Sequence, residues 1–500
     1  MLRKIRITAA IICFAFITLL FVDVTGVLHH WFGWLAKIQF IPALLAVNVV
    51  VVLLLLLLTL ALGRIYCSVI CPLGVFQDIV SWVAAKRKKF RYSYSSQLKI
   101  LRYVVLAVFV LAFALGVNVL VALLEPYSAY GRMASNLFAP VYQWGNNALA
   151  YLAERSDSYM FYSVDVWLKS IATLVVAVVT FVAVAFLAWR NGRTYCNTIC
   201  PVGTILGFLS QYSLFKPVID TQKCNACGLC ARNCKSSCIN SKEHQIDYSR
   251  CVTCFDCVST CRQSAITYQY VPYKKASKIK VETPQTTNDE GGNSRRNFLS
   301  MTALLAVASI AKAQQEKVDN GLAILKEKKV PKRLTALTPA GSHSAHNMEQ
   351  HCTACQLCIS ECPNQVLRPS TGLKTLMQPE MSYERGYCRP ECVRCSEVCP
   401  TGAIDKITTA DKSAIQIGHA VWLRDNCVVN TDKVSCGNCA RHCPAAAIQM
   451  VALNPSDAQS LKIPVVNTER CIGCGACENL CPARPFSAIY VEGHERHRTI

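Results

Sequence analysis

Cys224-Asn225-Ala226-Cys227-Gly228-Leu229-Cys230-Ala231-Arg232-Asn233-Cys234 has the spacing C-x2-C-x2-C-x3-C, and Cys251-Val252-Thr253-Cys254-Phe255-Asp256-Cys257-Val258-Ser259-Thr260-Cys261 repeats it at once. A cubane of four irons needs four thiolates converging on one small volume. Three closely spaced cysteines supply three corners, and the fourth of each run reaches the neighbouring cluster. The expected sets are Cys224, Cys227, Cys230 with Cys261, and Cys251, Cys254, Cys257 with Cys234. Lys235 stands where proline usually follows the fourth cysteine, and Cys238 offers a substitute for Cys234.

Four further runs follow: Cys352, Cys355, Cys358, Cys362; Cys388, Cys392, Cys395, Cys399; Cys427, Cys436, Cys439, Cys443; and Cys471, Cys474, Cys477, Cys481. Each ends before a proline, Pro363, Pro400, Pro444 or Pro482. Two keep the strict spacing, and the other two widen only the first gap. Sequential cross-ligation, first run with second and third with fourth, is the preferred pairing, with a nested pairing as the alternative. Zinc sites usually bring two separated cysteine pairs, so runs ending in C-x3-C favour iron and sulfide over zinc or a disulfide framework. Six [4Fe-4S] clusters are expected in all.

Upstream, the chain is apolar. Hydrophobic residues make up 52% of the 500 and charged ones 17%, too greasy for an ordinary soluble enzyme and too long for one domain. Stretches from about Ile5 to Val22, Phe40 to Gly63, Val104 to Leu124 and Ile171 to Trp189 each approach the roughly 20 residues a helix needs to cross hydrocarbon. Arg3, Lys4 and Arg6 precede the first, and Arg64, Lys86 to Lys89, Arg91, Lys99 and Arg102 fill the loop after the second. The positive-inside rule then places both ends of this bundle in the cytoplasm and the segment Glu125 to Asp165 outside.

The stretch Gly63-Arg64-Ile65-Tyr66-Cys67-Ser68-Val69-Ile70-Cys71-Pro72-Leu73-Gly74 recurs as Gly192-Arg193-Thr194-Tyr195-Cys196-Asn197-Thr198-Ile199-Cys200-Pro201-Val202-Gly203, identical at eight of twelve positions. The bundle therefore reads as two duplicated hairpins in one orientation. Cys67, Cys71, Cys196 and Cys200 are candidate redox or metal thiols, or thiols packed at a helix junction. Asp23 and Glu125, at outer helix ends, could take protons from a quinol or simply be solvated. No catalytic residue is assigned, and His29 and His30 read as interfacial.

Beyond the first cysteine module, Tyr273 to Asn293 is a polar linker, and Ser294-Arg295-Arg296-Asn297-Phe298-Leu299 with the apolar run to Ala313 resembles a twin-arginine export signal inside the chain. The expected organisation is a four-helix transmembrane bundle (1–205), a cytoplasmic two-cluster module (206–272), the linker (273–293), the export or anchor segment (294–313) and a periplasmic four-cluster domain (314–500). The modules are of α+β bacterial-ferredoxin type. The formal charge of +21 invites nucleic acid. Six cubanes at about −2 each, however, would leave roughly +9, much of it beside the membrane, so no nucleic-acid partner is required.

The duplicated C-x3-C-P bundle followed by two cluster motifs resembles NapH, the membrane ferredoxin-type protein of periplasmic nitrate reductase systems, and its relatives NosR and RdxA. The remainder, with Gly386-Tyr387-Cys388-Arg389-Pro390-Glu391-Cys392, Cys399-Pro400-Thr401-Gly402 and Cys471-Ile472-Gly473-Cys474-Gly475, is similar to the exported four-cluster ferredoxins NapG and MauM. The chain thus resembles a NapH–NapG fusion. That resemblance implies an electron-transfer component in the bacterial inner membrane, handed to the exterior by the twin-arginine translocase. It would pass electrons from the quinone pool, by quinol oxidation or from a cytoplasmic donor, to a periplasmic reductase or cytochrome. The NosR and RdxA likeness implies the alternative of a maturation factor handling metal for a partner enzyme.

Overall fold

The computed structural model describes residues 1–23, 25–87, 92–158, 160–271, 318–319, 323–324, 326–456 and 460–500. The linker (273–293) and the twin-arginine segment (294–313) lie outside these residues. The N-terminal half is helical, and the cysteine-rich parts are built from short helices and two-stranded antiparallel sheets.

Two of the four expected spans are continuous helices, Leu2–Val22 and Ile171–Asn191, each long and apolar enough to cross a membrane. The other two are broken. The stretch from Phe40 divides into Phe40–Leu45 and Val49–Leu62, where Val47 takes a left-handed φ of 51° and the Asn48 side chain accepts from Val51 N at 3.2 Å. The third divides into Lys99–Ala114 and Asn118–Leu124 around Gly116, at φ 71°. Asparagine and glycine tolerate the positive φ or supply the new helix cap, so the chain turns where hydropathy alone reads on. The segment expected outside, from Glu125, is also helical: Pro126–Met133, a π-turn at Ala134–Phe138, then Ala139–Glu154. Glu125 caps the first of these. Its carboxylate accepts from the backbone N–H of Tyr127 at 3.0 Å and of Ser128, and it is 1% exposed. The solvated reading of Glu125 is thereby corrected. His29, read as interfacial, is buried as well.

In the first cysteine module, Phe215–Ile219 pairs with Ile266–Tyr270 in the register Phe215↔Tyr270, which brings the entering and leaving strands together. Ile239–Asn240 and Gln245–Ile246 form a second, smaller pair. The C-terminal domain is closed by Ile415–Trp422 against Ile489–Thr499, with Ile448–Ala452 on Lys462–Val466 and Leu367–Pro369 on Pro379–Met381. Beside the long pair, His497 Nε2 lies 3.0 Å from Thr338 Oγ1, and its backbone N donates to His343 O at 2.8 Å. Burial first, then the neighbouring His343 and His494, hold the His497 imidazole down at about 4. The unfolded chain therefore binds a proton that the folded one refuses between the ordinary histidine value near 6.5 and about 4. This contribution to stability is complete above that window and is lost as pH falls through it. A thermal-unfolding series across pH 4 to 7 should show a shallower acid slope for His497→Gln than for the parent, and parallel curves would refute this origin.

The helix Leu2–Val22 works as a strut between the two cysteine-rich parts. At its start, Arg3 Nε meets Asp256 Oδ1 of the first module at 2.7 Å. Just past its end, Thr25 O accepts from Arg394 of the C-terminal domain at 2.9 Å. Twenty-one residues of helix span about 31 Å, so the modules sit at opposite ends of the helical part.

Candidate iron–sulfur cradles and a buried thiol group

In each of the four strictly spaced runs, two residues take left-handed backbone: Ala226 and Gly228, Thr253 and Phe255, Ala354 and Gln356, Gly473 and Gly475. They are the second residue of the first C-x2-C and the first residue of the next. These two reversals wrap the loop so that three sulfurs face one volume. Two of the eight positions cost non-glycine side chains as bulky as Phe255 and Gln356, a strain of about 1–3 kcal/mol each that binding sites characteristically hold. The third cysteine of the run then opens or sits in a short helix, as in Leu229–Arg232, Asp256–Thr260, Leu357–Ser360 and Ala476–Leu480.

Cavities bring the runs together in pairs. One is lined by Cys251, Cys254 and Cys257 with both Cys234 and Cys238. Another joins Cys362 to Cys388, Cys392 and Cys395. A third joins Cys481 to Cys427, Cys436 and Cys439, and a fourth joins Cys443 to Cys471, Cys474 and Cys477. Cys399 is an electrostatic neighbour of Cys352, Cys355 and Cys358. Cys224 and Cys227 are likewise neighbours of Cys230, and Cys224 and Cys230 share one packed cluster with Cys261. The C-terminal domain thus joins first run with second and third with fourth.

Burial pushes the Cys355 and Cys474 thiols up to about 12, and a bound cation favours the thiolate against that burial. Backbone N–H groups point at the sulfurs: Ala265 N to Cys261, Ala447 N to Cys443 and Ala488 N to Cys481, all at 3.3 Å. Such bonds are among the levers that tune an iron–sulfur cluster. Runs of four cysteines that end in C-x3-C and share their fourth member with a neighbouring run are the donor set of paired cubanes.

Lys235 has a structural reason for replacing proline. Its Nζ lies 3.2 Å from Asp256 and 3.6 Å from Asp78, and its carbonyl accepts from Arg193 N at 2.9 Å, tying the module to the helices. The backbone beyond is unaffected: Ser237 takes the same left-handed φ as Ser264, Gln365, Gly402 and Ala446, each three residues past a fourth cysteine. Cys238 Sγ lies 3.5 Å from Cys234 Sγ, and this hydrogen bond pulls the Cys234 thiol below its ordinary value. Both sulfurs therefore face the same cradle.

The two C-x3-C-P copies converge, which spacing alone did not show. Cys71 is an electrostatic neighbour of Cys196 and Cys67, and Cys200 of Cys196, Cys71 and Cys67. All four are buried. The copies exchange arginines: Arg64 donates to Cys196 O at 3.2 Å, and Arg193 donates to Cys67 O at 2.5 Å. Each copy's final glycine packs on its own first cysteine, since a Cβ on Gly74 would overlap Cys67 O and one on Gly203 would overlap Cys196 O. Backbone must move to admit a methyl, so Gly203→Ala should cost about 1–3 kcal/mol. A melting temperature unchanged from the parent in detergent would contradict that contact.

The 4Fe-4S binding domain family matches residues 44–91 and 173–219, one segment for each C-x3-C-P copy, and the 4Fe-4S dicluster domain family matches 434–484. The methylamine utilization ferredoxin-type protein MauM of Paracoccus denitrificans is 30% identical over 167 residues, 32% of this chain and 73% of that protein. The chain belongs to the MauM ferredoxin-type family. MauM of Methylobacillus flagellatus is 29% identical over 166 residues, 32% of this chain and 70% of its own length. The ferredoxin-type protein NapG of Escherichia coli is 28% identical over 153 residues, 29% of this chain and 65% of NapG. No solved structure matches the chain. Iron–sulfur binding and ferredoxin-type electron transfer follow from the MauM kinship and the matched domains. The joining of a MauM-like part to a NapH-like bundle lies beyond them.

Proposed function

We propose that this protein is a membrane-bound electron carrier with six [4Fe-4S] clusters, two beside the cytoplasm and four outside, passing electrons from the quinol pool or a cytoplasmic donor to a periplasmic oxidoreductase. The observation that carries this reading is the seating of the two cysteine-rich parts at opposite ends of Leu2–Val22. The helical surface supports it. Leu53, Leu54 and Leu57, Val104, Val108 and Leu111, and Val179, Val182 and Phe186 all point outward and are exposed, the reverse of a soluble helix and the arrangement lipid demands. Ligands for the six clusters would be the sets brought together above, with Cys234 or Cys238 completing the second.

The order of the outer cradles suits single-electron hops. Cys358 neighbours Cys395, Cys388 neighbours Cys474 with Cys388 N donating to Cys474 O at 2.9 Å, and Cys477 neighbours Cys439. Isolated membranes treated anaerobically with a reduced quinone analogue should develop the paramagnetic signals of reduced clusters. Protease added to intact spheroplasts should remove the C-terminal domain. Clusters that stay oxidised with every quinol tested and with cytoplasmic reductants would reject the carrier reading, and a protected C-terminus would reject the outward placement.

A further inference from the structure

We infer that the polar cavity between the end of Ile171–Asn191 and the first cysteine module receives a phosphate group, and that its source is the phosphodiester headgroup of an anionic phospholipid. The cavity stands apart from the electron path, and only its place at the inner membrane surface rests on the carrier reading.

At about 430 Å³ the cavity is more than ten times the volume of any of the four cysteine cradles, which measure about 10–30 Å³. Three pieces of chain wall it. The stretch from Tyr92 to Leu98 is pinned to the module, with Tyr92 N donating to Arg232 O at 3.0 Å and Ser95 N donating to Ser237 O at 3.4 Å. Arg190, Thr194 and Thr198 come from the end of the long helix and the short helix after it, and Ser236, Ser237 and Arg250 from the module.

Charge selects the ligand. The lining carries two guanidiniums and no carboxylate. Arg250 already meets Asp247 at 2.7 Å, whereas Arg190 has no carboxylate partner among the described residues and is held over the Phe186 ring at 5.8 Å. One uncompensated positive charge in a walled cavity attracts one negative charge, which is what a phosphodiester carries. A headgroup ammonium would find no acid there. The hydroxyls fit the same ligand. Ser236 is 6% exposed and its Oγ has no partner, a donor left unmet at a cost until something in the cavity accepts from it. Phosphate oxygens are such acceptors. Thr194 Oγ1 donates to Asn191 O at 3.3 Å and Thr198 Oγ1 to Thr194 O at 2.7 Å, so these oxygens are left to accept from the hydroxyls of a glycerol headgroup.

The neighbouring helices favour a lipid over free phosphate. Lys99–Ala114 begins just past Leu98 and Ile171–Asn191 ends at Arg190 and Asn191, and along them Ile100 and Val104, and Val182 and Phe186, are exposed. Acyl chains joined to a headgroup in the cavity have this apolar surface to lie on, and basic pockets between membrane helices on the cytoplasmic side are where anionic headgroups bind.

The full chain, purified in mild detergent with its clusters intact, tests the site. Native mass spectrometry should show a retained phospholipid. Phosphatidylglycerol added in mixed micelles should bind at least about tenfold tighter than phosphatidylcholine, the factor that one charged hydrogen bond is worth, and Arg190→Gln should erase that preference. Ser236→Ala should weaken phosphatidylglycerol binding yet leave the lipid-free melting temperature unchanged or raised, since the hydroxyl it removes bonds to nothing in the protein; a serine needed only for packing would show the reverse. Inorganic phosphate titrated into delipidated protein separates the sources. Binding of phosphate that depends on Arg190, without binding of phosphatidylglycerol, would uphold the phosphate site and overturn the lipid as its source. Equal binding of both lipids to the parent and to Arg190→Gln, with inorganic phosphate inert, would overturn the site and leave the electron carrier standing.

Discussion

Bleaching the clusters with a chelator and oxidant is expected to unfold the part of the C-terminal domain around its third and fourth cysteine runs, while the helical part keeps its far-ultraviolet signal. One of the domain's cores consists of Ala420, Cys427, Val429, Ala447, Ile448, Cys471, Cys477, Cys481, Ala488 and Ile489. Four of these ten are cysteines and three are alanines, which leaves three aliphatic side chains of any size. With so few apolar side chains of any size, this core leans on what its cysteines hold, because binding free energy at such sites is folding free energy. The rest of the domain packs into a larger core with Leu337, Leu357, Ile359, Leu367, Met381 and Tyr383. Trypsin should therefore cut around the third and fourth runs after bleaching and hardly at all before. A bleached domain that resists protease as the intact one does would show that its packing stands alone.

The second large effect is expected at Asp78. Its carboxylate accepts from Arg6 at 2.8 Å and from Arg193 at 2.9 Å, with Lys235 Nζ at 3.6 Å, and the two guanidinium side chains are 4% and 0% exposed. Lys235 and Arg3 also meet Asp256, so four cations share two carboxylates where the first cysteine module joins the helices. Asp78→Asn leaves two buried guanidiniums unpaired at a cost of about 3–5 kcal/mol, and the loss falls on the joint between module and bundle. Differential scanning of the detergent-solubilised protein should show a lowered first transition with the C-terminal transition unmoved, and Asp78→Glu should restore part of it. Equal melting of parent and Asp78→Asn would remove this network from the account of how the module is held.

The cysteine ladders and the internal duplication were legible in the sequence because they are local: spacing within a dozen residues dictates which sulfurs can share a loop. The breaks at Val47 and Gly116 were not, because a hydropathy window sums side chains and is blind to the backbone angle between them. Lys235 read as a flaw in a cluster motif, yet its charge answers Asp78, more than 150 positions earlier. Glu125 read as a surface acid because nothing beside it reveals that Tyr127 and the first outer run close over it. The meeting of Cys67 and Cys71 with Cys196 and Cys200 belongs to the same class, a contact across well over a hundred residues that no local pattern encodes.

The exchange of arginines between the two repeats bears on how such a chain can be divided. Each half presents a carbonyl that only the other's guanidinium reaches, and each guanidinium would be stranded in its own half. One half alone could satisfy itself by pairing with an identical copy through the same reciprocal bonds. The tandem chain has that homodimer welded into a single polypeptide, which fixes the stoichiometry at one to one and lets the surroundings of each face diverge independently.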